Sequence, residues 1–185
     1  MTHPPPDAAV DVMAWLARSQ ARRDPAPLMS HETLWDNGFL VRLFDGPTTP
    51  GRADYHINRV PELFLQLAGV LELRVWDGRA FIDHTIGPGE LFSLPAEVPH
   101  RNRRPAGSVG LVVHVTRTPE QTDFIVWYCP QCEREGACTE LHRSEFKVGV
   151  LKADLIRLIR RFLADEALRT CQTCGSVMPA EAGAM

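Results

Sequence analysis

No apolar run in the 185 residues approaches the ~18 that a membrane-spanning helix needs, so no membrane is expected as a partner. A surplus of basic charge is also lacking: 20 Lys+Arg face 23 Asp+Glu, a formal net of −3. That balance leaves no electrostatic footprint for nucleic acid or anionic lipid. The start, Met1-Thr-His-Pro-Pro-Pro6, has neither the basic nor the apolar region of a secretory signal, which makes a cytoplasmic location the expectation. Internal repeats are missing, and only the Pro-rich start is low in complexity. What is present suits a globular chain: apolar residues make up 44%, enough for a core, and the length allows one domain plus a modest appendage.

Cysteine is scarce, yet four of the five stand in two pairs, Cys129-Pro-Gln-Cys132 and Cys171-Gln-Thr-Cys174. Two thiolates three residues apart grip one ion from a tight turn. Two such turns supply the tetrahedral four-sulfur set that Zn²⁺ favours and iron accepts. Loop disulfides are the rival reading, but a cytosolic chain is kept reduced. From residue 129 to 185 there are 8 Lys+Arg and 8 Asp+Glu, a local net of zero. A metal staple is expected there, not a nucleic-acid module. Cys138 is left over and reads as a loop or core thiol.

Along the chain, Val10, Met13, Ala14 and Ala17 recur at helical spacing, which predicts a short helix between about 8 and 21. From Trp35 the pattern changes to short β runs at 39–44, 63–67, 71–76, 80–86, 91–94, 109–115 and 124–127, punctuated by turn signals. Asp77-Gly78 reads as a tight hairpin. Many short strands at near-regular spacing argue for a sandwich or a jelly-roll barrel. After Tyr128 one amphipathic helix is expected over about 150–164, with Leu151, Leu155, Leu158, Ile159 and Phe162 on one face and Arg157, Arg160 and Arg161 elsewhere. The division is an N-terminal extension over 1–33, a barrel over 34–128 and a metal tail over 129–185.

Any one of the seven His, taken alone, is more often a surface or satisfied core residue than a ligand. Two gain weight from their surroundings. Gly51-Arg-Ala-Asp-Tyr-His56 is followed by Glu62 and Gly69, and Gly89-Glu-Leu-Phe-Ser-Leu-Pro95 is followed by His100. These segments resemble the two motifs of the cupin superfamily, in which the first supplies His and Glu ligands and the second another His. In many cupins a further His lies two residues after the first, and here that position is Asn58. The resemblance implies an all-β cupin jelly-roll barrel with a short N-terminal helix and a small C-terminal metal-binding tail containing one helix. Two imidazoles and a carboxylate on one face of an ion are the arrangement of non-haem Fe(II) oxygenases.

The resemblance narrows with Arg52-Ala-Asp-Tyr-His56, the Glu62 to Gln66 run, Val98-Pro-His100, Arg104-Pro-Ala-Gly107, Trp127-Tyr-Cys129 and the paired Cys motifs. Together they resemble the 3-hydroxyanthranilate 3,4-dioxygenase family, in its bacterial type with a rubredoxin-like tail, over roughly Trp35 to Cys174. That likeness implies Fe(II) held by His56, Glu62 and His100, and a second metal, iron or zinc, on Cys129, Cys132, Cys171 and Cys174. It implies Arg52 near the O₂ side of the pocket and Arg104 on the substrate carboxylate, a task that suits a fixed, forked donor. A small aromatic substrate and O₂ are the implied partners, ring opening to a muconic semialdehyde the implied reaction, and a homodimer is left open.

Three positions depart from the family. His114 stands where a pocket Glu is usual, His31 aligns with a pocket Asn, and Leu65 replaces a common Tyr. His114 is expected to face the substrate and alter its selection, with a fourth metal ligand or a buried structural His as the alternatives. Two other functions compete: a cupin isomerase or hydrolase using Zn²⁺ or Mn²⁺ as a Lewis acid, and a non-catalytic small-molecule-binding cupin.

Overall fold

Strand residues alternate between the faces of a sheet, and Leu71-Glu-Leu-Arg-Val-Trp76 shows the consequence. Leu71, Leu73 and Val75 are buried, while Glu72, Arg74 and Trp76 stand on the other face. The structure, a computed structural model, describes residues 9–14, 17, 31–48, 52–147 and 151–180, without the side chains of residues 31 and 151–153. Among these residues the strands are β1 (His31–Asp36), β2 (Phe39–Asp45), β3 (Tyr55–Ile57), β4 (Glu62–Ala68), β5 (Leu71–Trp76) and β6 (Phe81–Ile86). They continue as β7 (Leu91–Leu94), β8 (His100–Arg103), β9 (Val109–Val115), β10 (Asp123–Tyr128) and β11 (Glu140–Phe146). The helices are α1 (Pro130–Arg134), α2 (Leu151–Ala164) and α3 (Glu166–Arg169). Residues 12–14 and 17 are also helical and 9–11 are not. The rest of the helix expected over 8–21 lies outside the described residues.

Two antiparallel sheets form, in the orders β1-β2-β9-β4-β7 and β11-β10-β3-β8-β5-β6. The chain changes sheet at most steps from β2 to β10, which is the winding of a jelly roll. The all-β expectation is therefore met. Phe64, Leu94 and Val112 from one sheet meet Leu71, Leu73, Val75 and Ile86 from the other to fill the interior. The β5–β6 connection is a four-residue loop, not a two-residue turn. The backbone N–H groups of Arg79 and Ala80 donate to the Asp77 carboxylate, and only Gly78 takes a positive φ, of 93°. No helix among the described residues is long and apolar enough to cross a membrane.

The segment after Cys129 is bound into this framework. β11 pairs with β10 from Asp123↔Phe146 to Tyr128↔Glu140, which extends a barrel sheet. α2 then lays Leu155, Leu158, Ile159 and Phe162 on Ile125, Trp127 and Phe146, with Phe162 stacked on Trp127 at 4.1 Å between ring centroids. Each such side chain is worth about 1.5–3 kcal/mol when fully buried. Arg157, Arg160 and Arg161 are exposed, as an amphipathic helix requires.

Candidate active site

Strand register decides which side chains meet inside the barrel. His56 on β3 lies directly opposite His100 on β8 in one sheet, and Glu62 on β4 lies opposite His114 on β9 in the other. Cross-strand partners share a face, so each pair projects together. Across the interior, His100 Nε2 comes within 3.0 Å of Glu62 Oε2, and His114 Nδ1 within 3.0 Å of Glu62 Oε1. Glu62, His100 and His114 are all buried.

The hydrogen bonds fix the tautomers. His100 Nδ1 donates to the Val98 carbonyl at 3.0 Å, so Nε2 is the ring atom that faces Glu62. Despite the short contact, Glu62 Oε2 lacks hydrogen-bond geometry to any described partner. Burial opposes ionisation of Glu62, but His100 and then His114 outweigh it and hold the carboxyl well below the usual range. For His100, burial lowers its basicity and the Glu62 charge more than restores it. A carboxylate oxygen and an imidazole nitrogen 3.0 Å apart need positive charge between them. A shared proton meets that need, and so does a metal ion, whose donor chemistry these N and O atoms match. His114 is different. Its Nδ1–H donates to Glu62, burial keeps the ring neutral, and its buried Nε2 has no partner.

His56 stands apart from this pair. Its Nε2 lies 3.4 Å from both Asp54 Oδ2 and an Arg52 terminal nitrogen, and its ring centroid is 6.1 Å from that of His100. Among the described residues only the four cysteines gather at least three ligand atoms within 4.8 Å of one another. Arg52 grips the buried Asp54 with Nε, at 2.9 Å, and with a terminal nitrogen. Burial opposes the Asp54 charge, but Arg52 and His56 hold its carboxyl well below the usual range. Sequence reasoning missed Asp54, although its place midway between Arg52 and His56 was a signal.

Arg104 is buried beside Gln66 and Ser108, with a terminal nitrogen 2.8 Å from Gln66 Oε1 and 3.4 Å from Ser108 Oγ. Gly110 makes the room: a Cβ there would lie 2.9 Å from that nitrogen and 2.6 Å from Gln66 Oε1. No carboxylate among the described residues pairs with Arg104, its Nε and second terminal nitrogen have no partner, and burial lowers its pKa to about 10. A buried guanidinium with free donors calls for an anion. Arg42 was missed as well, though a lone Arg in the apolar β2 run marks it. It is buried, pushed down to about 10 by burial and then by Arg117, which pairs with Asp123 at 2.7 Å. The His31 backbone pairs with Phe44, and its side chain lies outside the described residues.

In the tail, Cys129 and Cys174 sulfurs lie 3.7 Å apart, as do those of Cys132 and Cys171. A tetrahedral ion with Zn–S bonds of about 2.3 Å requires S···S separations of about 3.8 Å. Backbone N–H groups of Gly175 and Ala137 donate to the Cys171 and Cys132 carbonyls and close the two turns. The Ser176 hydroxyl and its backbone N–H hold the Cys174 thiol down to about 6, toward the thiolate a metal needs. Cys138 lies outside the cluster, and burial, with Glu133 nearby, pushes its thiol up to about 11.

A sequence profile of 3-hydroxyanthranilic acid dioxygenase matches residues 6–163. The 3-hydroxyanthranilate 3,4-dioxygenase of Xanthomonas campestris pv. campestris (strain B100) is 36% identical over 171 residues, 92% of each chain. Enzymes of the same name from Jannaschia sp. (strain CCS1) and Candida albicans are 35% and 33% identical. Those alignments cover 93% and 91% of this chain and 92% and 93% of theirs.

Proposed function

The chain belongs to the 3-hydroxyanthranilic acid dioxygenase family, and on that premise we propose that it opens the ring of 3-hydroxyanthranilate or a close carboxylated aminophenol with O₂. The product is a muconic semialdehyde. His56, Glu62 and His100 hold ferrous iron in this reading, with His56 released from Asp54 and Arg52 to join the other two. Bound there, iron supplies the charge that favours a deprotonated phenol and the one-electron chemistry that O₂ requires. Arg104, steadied by Gln66 and Ser108, takes the substrate carboxylate. Arg52, locked by Asp54, holds its guanidinium beside His56. His114 holds Glu62 in place and leaves Nε2 to accept a hydrogen bond from a substrate amino or hydroxyl group. The four cysteines hold a separate zinc or iron ion. With all four positions filled by sulfur, that ion has none for substrate.

The observation that carries the substrate class is the buried Arg104 guanidinium without an anion in a barrel that also holds the Glu62–His100 pair. The protein loaded anaerobically with Fe(II) should consume O₂ with 3-hydroxyanthranilate. Arg104→Ala should cost about 2–5 kcal/mol in kcat/KM on that substrate and much less on 2-aminophenol, which has no carboxylate. Absence of O₂ uptake across a panel of aminophenols would sink the activity. Equal losses on the two substrates would remove the carboxylate role alone.

A further inference from the structure

Behind the histidines, on the outer face of the same sheet, is a cleft of about 250 Å³ between the barrel and the tail. Tyr55 and Arg101 line it. They follow from strand alternation, since Tyr55 precedes His56 on β3, Arg101 follows His100 on β8, and neighbours along a strand face opposite ways. Tyr128 from β10 and Met178 from the tail add apolar wall, and Tyr55 meets Tyr128 edge-on at 5.1 Å.

The polar groups of the cleft are left in excess of their partners. The Tyr55 side chain is 1% exposed, yet its hydroxyl makes no hydrogen bond, and Arg74 approaches it without the geometry of one. A buried hydroxyl without a partner is costly. Glu133 is the acid in the lining, and it is engaged by Arg74. Arg101 lies over the Tyr55 ring at 5.1 Å and Arg134 donates to Gln131, and neither meets a carboxylate among the described residues. The lining thus carries three arginines against one glutamate. The volume exceeds what a simple inorganic anion fills and lies just below the range of about 300–1,000 Å³ typical of drug-sized ligands.

We infer that this cleft is a second small-molecule site, one that takes a compact aromatic carboxylate. Its ring packs between Tyr128 and Met178, its carboxylate pairs with Arg101 and Arg134, and the Tyr55 hydroxyl donates to it. An occupant rests on the backs of the two strands whose fronts carry His56 and His100.

The test is calorimetric titration of the metal-loaded protein with benzoate, followed in parallel by tyrosine and tryptophan fluorescence. Arg101→Gln should weaken binding about tenfold and Tyr55→Phe by a smaller factor. Arg134→Gln, at an exposed position, should also weaken it, and that variant carries the test should Arg101→Gln fold poorly. Arg104→Ala, which alters the barrel interior, should leave one benzoate site with its affinity within about twofold. The inference is overturned by no binding up to about 10 mM benzoate. It is overturned equally if all benzoate binding vanishes in Arg104→Ala, or if Arg101→Gln and Arg134→Gln both bind like the wild type. Because benzoate undergoes no ring opening here, these outcomes are independent of the activity proposed for the barrel.

Discussion

In the tail, four ligand atoms come from two short turns, and their sulfurs already lie 3.7 Å apart in two pairs. In the barrel, the three proposed ligands come from three strands in two sheets, and only Glu62 and His100 touch. The difference fits the role proposed for each site. A staple needs a closed shell, so local backbone geometry is enough to build it. A reacting centre must keep positions open, so in the proposed site the groups around the donors matter: His114 bonds Glu62, while Asp54 and Arg52 engage His56 and must release it before it can join a metal. The tail is organised by spacing along the chain, and the barrel site by register between strands.

The largest expected effect separates the two regions outright. His56→Ala should remove the barrel iron and lower turnover by on the order of a thousandfold or more, since the chemistry depends on that ion. The tail metal should hardly move, because no tail ligand is disturbed. Metal analysis beside O₂ uptake reads both quantities. Joint loss of the two metals would break the comparison and make barrel and tail one cooperative unit. Full retention of barrel iron would remove His56 from the ligand set.

This contrast also explains what the sequence made legible. Seven strand runs with apolar alternation, such as β5 and β9, stand within a residue or two of where periodicity puts them, and α2 likewise. Four strands were not seen. β3 is three residues long, and β8, His100-Arg-Asn-Arg103, carries no apolar residue. Yet these two hold the histidines. β8, with His100 and Asn102 on one face and Arg101 and Arg103 on the other, has no hydrophobic signature to detect. β11 is hidden for a related reason, since it is a charged edge strand whose partner is found only by folding. The CxxC pairs needed no fold to be found. The barrel donors emerged only through family likeness, and Asp54 beside His56, Gln66 beside Arg104, and the buried Arg42 only through the structure.

An intermediate effect probes the tail from its own side. Cys171→Ser removes one of four ligands from a turn that ties α3 to the start of α1. It should destabilise the protein by on the order of 3 kcal/mol, about 6–12 °C in melting temperature for a chain of this size. The folded fraction should still consume O₂ at nearly the wild-type rate per barrel iron. Unchanged tail metal and unchanged melting would dispose of the staple. A collapse of activity in protein that remains folded would mean that the tail holds the barrel site in shape through β10 and β11.

The smallest expected effect concerns His114, the position expected from the sequence to depart from the family. His114 Nδ1 donates to Glu62 at 3.0 Å, so its first consequence falls on the proposed metal ligand. Removing a hydrogen-bond partner from a ligand usually weakens metal binding or activity about 10- to 100-fold. His114→Leu keeps the bulk but leaves Glu62 Oε1 without that donor, and about a tenfold loss of barrel iron affinity is expected, measured by competition with a chelator. His114→Gln restores a donor on a side chain of similar reach and should recover most of the loss. If His114 acted on substrate alone, both variants would bind iron like the wild type and differ only in their ranking of aminophenols. If it were itself a ligand, His114→Gln would lose iron as fully as His56→Ala. The expected pattern, graded loss with rescue by the amide, belongs to a histidine that sets Glu62 in place, and it puts register between β4 and β9 at the origin of the metal site.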